Sequence, residues 1–152
     1  MSFLFLILVF FAVFHLRFLR DVGFLSGRKD KAAVAMGASF VITGVMHFSN
    51  PDRFLPMMPP WLPWHMGLIY LSGALEIVGG SALAVRGTRR AAALGLVALL
   101  LAIFPANIHV ALSGVSVDGL PQASWYYWVR LPFQFVFIGW ALWCSRPDGP
   151  DS

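Results

Sequence analysis

The sequence contains few charged residues and only one cysteine. Charged residues make up 12% of the 152 residues, whereas a soluble domain has about 25%. The single cysteine, Cys144, cannot form an intrachain disulfide, and no C-x-x-C motif is present. These absences argue against a water-soluble fold and against a dithiol–disulfide exchange enzyme acting on its own. We expect Cys144 to be a small apolar residue of a helix.

The sequence also lacks the short motifs that mark many enzymes. It contains no glycine-rich phosphate loop, no nucleophile elbow and no H-E-x-x-H zinc motif. His47 and His109 are a weak metal or haem pair, because they lack close spacing and a third ligand. Catalytic residues therefore remain unassigned, no metal site is predicted, and the sequence leaves open whether the chain is an enzyme.

Apolar residues are abundant instead, at 59% of the chain. A helix needs about 20 apolar residues to cross a hydrocarbon core of about 30 Å. Five runs have roughly this length: residues 2–19, 32–48, 65–85, 91–112 and 125–143. Basic residues follow the first run and no signal-peptide cleavage pattern does, so we expect an uncleaved anchor there. The sequence predicts an all-α, polytopic transmembrane helix bundle.

Basic residues are unevenly distributed between the predicted loops. Nine Lys and Arg residues lie in segments 17–31, 86–90 and the C-terminal tail, whereas the remaining loops contain only Arg53. Cytoplasmic loops carry this excess, so we predict that the N-terminus lies outside and the C-terminus inside. The predicted organisation is an anchor and basic loop at 1–31, four further spans within 32–145 and a short disordered tail at 146–152.

The predicted outer loop at residues 49–64 is rich in proline and in large apolar residues. It contains five of the ten prolines in the chain, together with Phe54, Met57, Met58, Trp61 and others. Proline prevents a regular helix, and the apolar side chains favour burial. Two interpretations remain open: a connector anchored in the lipid headgroups, and a lid over a site at the outer end of the bundle.

Several polar side chains fall inside the predicted spans. They are His47, Glu76, Asn107, His109, Arg130 and Gln134. Under the predicted topology they lie at or above the membrane midplane, toward the outside. Such groups usually face the bundle and find partners. We therefore expect Glu76 and Arg130 to share one network, either as an ion pair that holds helices together or as part of a polar chamber open to the outside.

One geometric condition applies to the fourth run. Asn107 and His109 are two positions apart, which is about 200° on an ideal helix. Both can face one site only if Pro105 distorts the turn between them.

Four stretches resemble the DoxX-like family of small bacterial membrane proteins. They are TGVMHFSNPDRFLPMMPPWLP at 43–63, YLSGALEIVGG at 70–80, FPANIHVAL at 104–112 and RLPFQ at 130–134. The resemblance implies a four-helix core with one extra N-terminal transmembrane helix, in the bacterial cytoplasmic membrane. It also implies quinone-associated redox or oxidative-stress chemistry. The six polar residues named above fall on the polar positions of these motifs.

Three functions remain open at this point. The first is a redox accessory that binds a quinone-like molecule and works beside another membrane redox subunit. The second is a non-enzymatic structural subunit, in which the polar residues only lock helices together. The third is a small carrier or lipid-binding protein. Substrate, partner and oligomeric state, including a homo-oligomer, do not follow from the sequence.

Overall fold

The computed structural model describes residues 27–114 and 123–146. The regular structure of these residues is helical throughout, with no strand. Four α-helices follow one another, which we number α1 (Arg28–Ser49), α2 (His65–Ala84), α3 (Arg89–Ser113) and α4 (Ser124–Ser145). Two short 3-10 turns, Pro51–Arg53 and Leu55–Met57, lie between α1 and α2. The all-α fold is thus confirmed, and the predicted first span and the tail beyond residue 146 lie outside the described residues.

The helices correspond to the second to fifth predicted runs, with one clear extension. α1 begins at Arg28, four residues before the apolar run. The Asp30 carboxylate accepts a hydrogen bond from the Gly27 backbone N–H at 3.3 Å. A carboxylate in the first turn satisfies a free N–H and complements the helix dipole, so the helix continues into the polar segment.

By length and composition, α1, α2 and α3 are suited to crossing a membrane. α4 is not among these three helices; it carries Arg130, Gln134 and several Trp and Tyr residues, which are less hydropathic than aliphatic ones. Large apolar side chains are exposed on every helix, including Val45, Val78, Leu101 and Phe135. A water-soluble monomer rarely exposes so much apolar surface, so this surface suits a lipid environment.

The helices form a four-sided bundle. Each helix packs against its neighbours in sequence, and α1 also packs against α4. We call the end where α1 and α3 begin the basic end, and the opposite end, next to residues 50–64, the loop end. The solid core fills the basic half, with Met36, Phe40, Leu83, Leu96, Phe137 and Cys144 among its residues. Cys144 is buried there, as expected for a small apolar helix residue.

Glycines bring α1 and α2 together at two levels. A Cβ atom on Gly44 would lie 2.6 Å from the carbonyl oxygen of Gly73. A Cβ atom on Gly37 would collide with the carbonyl oxygen of Gly80. Small residues at such crossings allow two helix backbones to approach closely. The α1–α2 pair is consequently the most extensive helix contact in the described residues.

A buried acidic residue fastens the basic end. The Asp30 carboxylate is buried and accepts a hydrogen bond from Arg89 Nη1 at 2.8 Å, and it also pairs with Arg86. Arg89 is itself buried, and its Nε donates to the carbonyl oxygen of Leu83 at 3.1 Å. The pairing ties the start of α1 to the α2–α3 connection. Sequence reasoning treated these arginines only as a topology signal and missed their structural role.

Candidate functional site

A cavity of about 450 Å³ lies between the four helices in the loop half of the bundle. Its deepest residues, Phe40, Leu100 and Phe137, belong to the packed core. Most of the other lining residues are apolar or aromatic. Small-molecule sites typically measure 300–1,000 Å³ and combine apolar walls with a few polar groups. The cavity therefore has the size and character of a ligand site.

Residues 54–59 of the predicted outer loop cover the cavity. Phe54, Met57 and Met58 line it, and Pro59 is buried. His65 Nε2 lies 3.1 Å from the Pro59 carbonyl oxygen, which can only accept, so the histidine donates and secures the cover.

Residues 61–64 at the end of this loop turn outward. Trp61 and Trp64 are 70% and 74% exposed, so this part of the loop does not pack over the bundle. Exposed tryptophans suit the headgroup layer of a membrane. The lid interpretation thus fits residues 54–59, and the connector interpretation fits residues 61–64.

One polar wall of the cavity comes from Thr43 and His47 of α1. Three side chains at four-residue spacing bond back to the preceding turn: Ser39 to Ala35, Thr43 to Ser39 and His47 to Thr43, each at 2.9 Å. The Thr43 carbonyl oxygen can only accept, so Nδ1 of His47 carries the proton. In the neutral ring, Nε2 is then a hydrogen-bond acceptor. The imidazole stacks on the Phe54 ring at a centroid distance of 4.0 Å.

Glu76 on α2 completes this wall. It is the only glutamate in the chain, and it is 4% exposed. Its Oε2 lies 3.4 Å from Nδ1 of His47, but that N–H is directed at the Thr43 carbonyl oxygen. Oε2 therefore has no hydrogen-bond partner among the described residues. Leaving such a group unsatisfied costs about 1–3 kcal/mol, and the Glu76 side chain lines the cavity.

The opposite wall carries three linked hydrogen bonds between α3 and α4. Arg130 Nη2 donates to Asn107 Oδ1 at 3.2 Å, and Asn107 Nδ2 donates to Gln134 Oε1 at 2.8 Å. Gln134 Nε2 donates to the Leu100 carbonyl oxygen. A guanidinium can only donate and a carbonyl can only accept. The chemistry at both ends of the chain thus dictates the orientation of both amides.

The structure brings five of the six predicted residues to the cavity. His47, Glu76, Asn107, Arg130 and Gln134 line it, and His109 does not. His109 Nδ1 lies 3.1 Å from the Ser113 hydroxyl oxygen instead. Pro105 lies within α3, but the helix continues through it. Pro105 therefore does not bring His109 to the side of Asn107. The two residues lie on different sides of α3, as expected for positions two apart in a helix.

The expected single network is divided into two. Within the described part of the chain, no ion pair within 4 Å joins Glu76 to Arg130. Glu76 Oε2 instead lies 3.4 Å from His47 Nδ1 without accepting a hydrogen bond from it, and Arg130 bonds Asn107. The reason is the helix pairing: α1 packs most extensively on α2, and α3 on α4. Each polar group therefore lies nearest to one on the helix packed next to it, and the cavity separates the two pairs.

Comparison with known proteins identifies one family. The sequence profile of the family described as Domain of unknown function (DUF8561) matches residues 36–145. The chain belongs to this family. The DUF8561 match begins in α1 and ends with α4, so it includes all the cavity-lining residues named above. No curated protein and no solved structure matches the chain.

Proposed function

We propose that this protein is a membrane-embedded binding module for a small lipid-soluble molecule with a polar head. A quinone is the leading example, and an accessory role in membrane redox or oxidative-stress chemistry is the setting. The observation that carries the proposal is the largely apolar cavity of about 450 Å³ with polar groups on two opposite walls. Apolar walls would hold a lipophilic body, and the few polar groups would orient its head.

The polar groups suit the heads of a quinone and of its reduced form, the quinol. Arg130 would donate a charge-assisted hydrogen bond to a carbonyl oxygen, and such bonds are stronger than neutral ones. Glu76 and His47 would exchange protons with the head on the other wall. The DoxX-like resemblance adds support, since five of the six polar motif residues line the cavity.

The proposed environment is the bacterial cytoplasmic membrane, crossed five times. The basic end carries Arg28, Arg86, Arg90 and Arg146, and the excess of basic residues would hold this end inside. The cavity would then lie in the outer half of the membrane, and residues 50–64 would lie at its outer surface.

This orientation predicts the side on which the C-terminus lies. A reporter that is active only in the cytoplasm, fused after Ser152, should be active, and one that is active only in the periplasm should be silent. Fusion of the same reporters within residues 50–64 should give the reverse pattern. Periplasmic activity at the C-terminus would contradict the proposed topology.

Binding of a quinone should depend on Arg130. We expect Arg130→Gln to weaken binding of a short-chain quinone by roughly tenfold to a hundredfold, because a hydrogen bond from a charged group contributes about 1.5–3 kcal/mol. Quenching of tryptophan fluorescence in detergent-solubilised protein measures this, since Trp125 lines the cavity. Trp125→Phe should remove a large part of the quenching.

Two matched variants serve as controls for this measurement. Arg90→Gln removes an exposed arginine of α3, and His109→Gln alters the one predicted residue outside the cavity. Both should bind the quinone as the unaltered protein does. If Arg90→Gln and Arg130→Gln weaken binding equally, net charge and not the cavity governs the interaction, and the proposed site is wrong.

A further inference from the structure

The two polar walls of the cavity have opposite hydrogen-bonding character. On the α1–α2 wall, Glu76 Oε2 is buried without a hydrogen-bond partner, and the proton of His47 is committed to Thr43 through Nδ1. The groups left over on this wall, a carboxyl oxygen of Glu76 and Nε2 of the neutral imidazole, can accept a hydrogen bond. A ligand that meets this wall with a donor satisfies it.

The α3–α4 wall is the reverse. The amide oxygens of Asn107 and Gln134 each accept one hydrogen bond, from Arg130 and from Asn107 respectively. Each amide retains a second N–H, and the Arg130 guanidinium has five N–H donors in all. This wall therefore offers more donors than acceptors, and a ligand that meets it with an acceptor satisfies it.

Resting on the proposed binding function, we infer that the cavity selects molecules whose head carries a hydrogen-bond donor on one side and an acceptor on the other. The donor faces Glu76 and the acceptor faces Arg130. A hydroxyaryl head with a carbonyl group at its far side, attached to an apolar chain, has this arrangement. Among quinone-type molecules, the quinol meets both walls through its hydroxyl groups, whereas the quinone presents acceptors only.

Three probes of matched size separate the two contacts. An alkyl para-hydroxybenzoate has both the donor and the carbonyl acceptor. The corresponding para-methoxybenzoate ester keeps the carbonyl and lacks the donor. A para-alkylphenol of equal length keeps the hydroxyl group and lacks the carbonyl. Their affinities are measured by calorimetry on the full-length protein in detergent micelles, with the probes partitioned into empty micelles as the blank.

We expect the para-hydroxybenzoate ester to bind about tenfold or more tightly than either of the other two probes. Leaving a buried donor or acceptor without a partner costs about 1–3 kcal/mol, and each 1.4 kcal/mol is a tenfold change in affinity. This comparison uses the unaltered protein, so it does not depend on whether any variant folds.

Two variants assign each preference to its wall. In Glu76→Gln, the side chain can both accept and donate, so the preference for the hydroxy over the methoxy ester should fall to about twofold or less, and the preference for the carbonyl should persist. In Arg130→Gln, the preference for the carbonyl should fall to about twofold or less, and the preference for the hydroxy over the methoxy ester should persist. Asp52→Asn, at an exposed carboxylate of the loop, should preserve both preferences.

The outcomes distinguish the inference from the proposal on which it rests. If all three probes bind with equal affinity, the cavity is a binding site but the donor–acceptor rule is wrong. If both preferences survive in Glu76→Gln, the assignment of the donor to Glu76 is wrong. If no probe and no quinone binds, the binding function fails, and this inference fails with it.

Discussion

Replacing Asp30 by alanine is expected to lower the free energy of unfolding by about 3–5 kcal/mol. The change leaves the Arg89 guanidinium buried without its carboxylate, and breaking a buried pair on one side has a cost of this size. Arg89 lies 2.8 Å from Asp30 and also donates to the Leu83 carbonyl oxygen, so it cannot turn to solvent without losing that bond as well. Unfolding of purified protein in mixed micelles by a denaturing detergent measures the change.

Two further variants make this result specific. Asp52→Ala removes an exposed carboxylate of the loop and should change stability by about 0.5 kcal/mol or less. The double variant Asp30→Ala with Arg89→Leu should recover much of the loss, because no unpaired charge remains buried. If the double variant is as unstable as the sum of the two single variants, the two residues do not act as a pair.

Replacing Gly37 by alanine is expected to destabilise the fold by about 1–3 kcal/mol, the usual cost of overpacking. The added methyl group would meet the carbonyl oxygen of Gly80, which belongs to the backbone of α2 and cannot move aside alone. The two helices would have to separate along the contact that also aligns His47 with Glu76. Unfolding in mixed micelles measures the loss of stability, and the probe affinities described above should weaken together with it.

Gly95→Ala on α3 is the matched control for this substitution. A Cβ atom at Gly95 would have nothing within 4 Å, and alanine has a higher helix propensity than glycine by up to about 1 kcal/mol. The control should therefore be neutral or more stable than the unaltered protein. A loss of stability in Gly95→Ala equal to that in Gly37→Ala would show that close α1–α2 packing is not the cause.

The sequence by itself determined the helical class and the positions of the helices. Long apolar runs without strand-like alternation leave few other ways to satisfy the backbone away from water. Four of the five predicted runs are described as helices close to the predicted bounds. The polar positions that line the cavity were also visible, because an ionisable group such as Glu76 in an apolar run is unusual enough to stand out.

The tertiary structure decided which polar groups are partners. From the sequence we predicted one network for Glu76 and Arg130, because charges in hydrocarbon need partners. The sequence did not show which helices pack next to each other. Glycines at 37, 44, 73 and 80 allow α1 to pack closely against α2. Glu76 therefore lies next to His47 and not next to Arg130. Asp30 likewise finds Arg89 across 59 positions of sequence. Such pairings depend on contacts between distant segments, and those contacts exist only once the helices are packed.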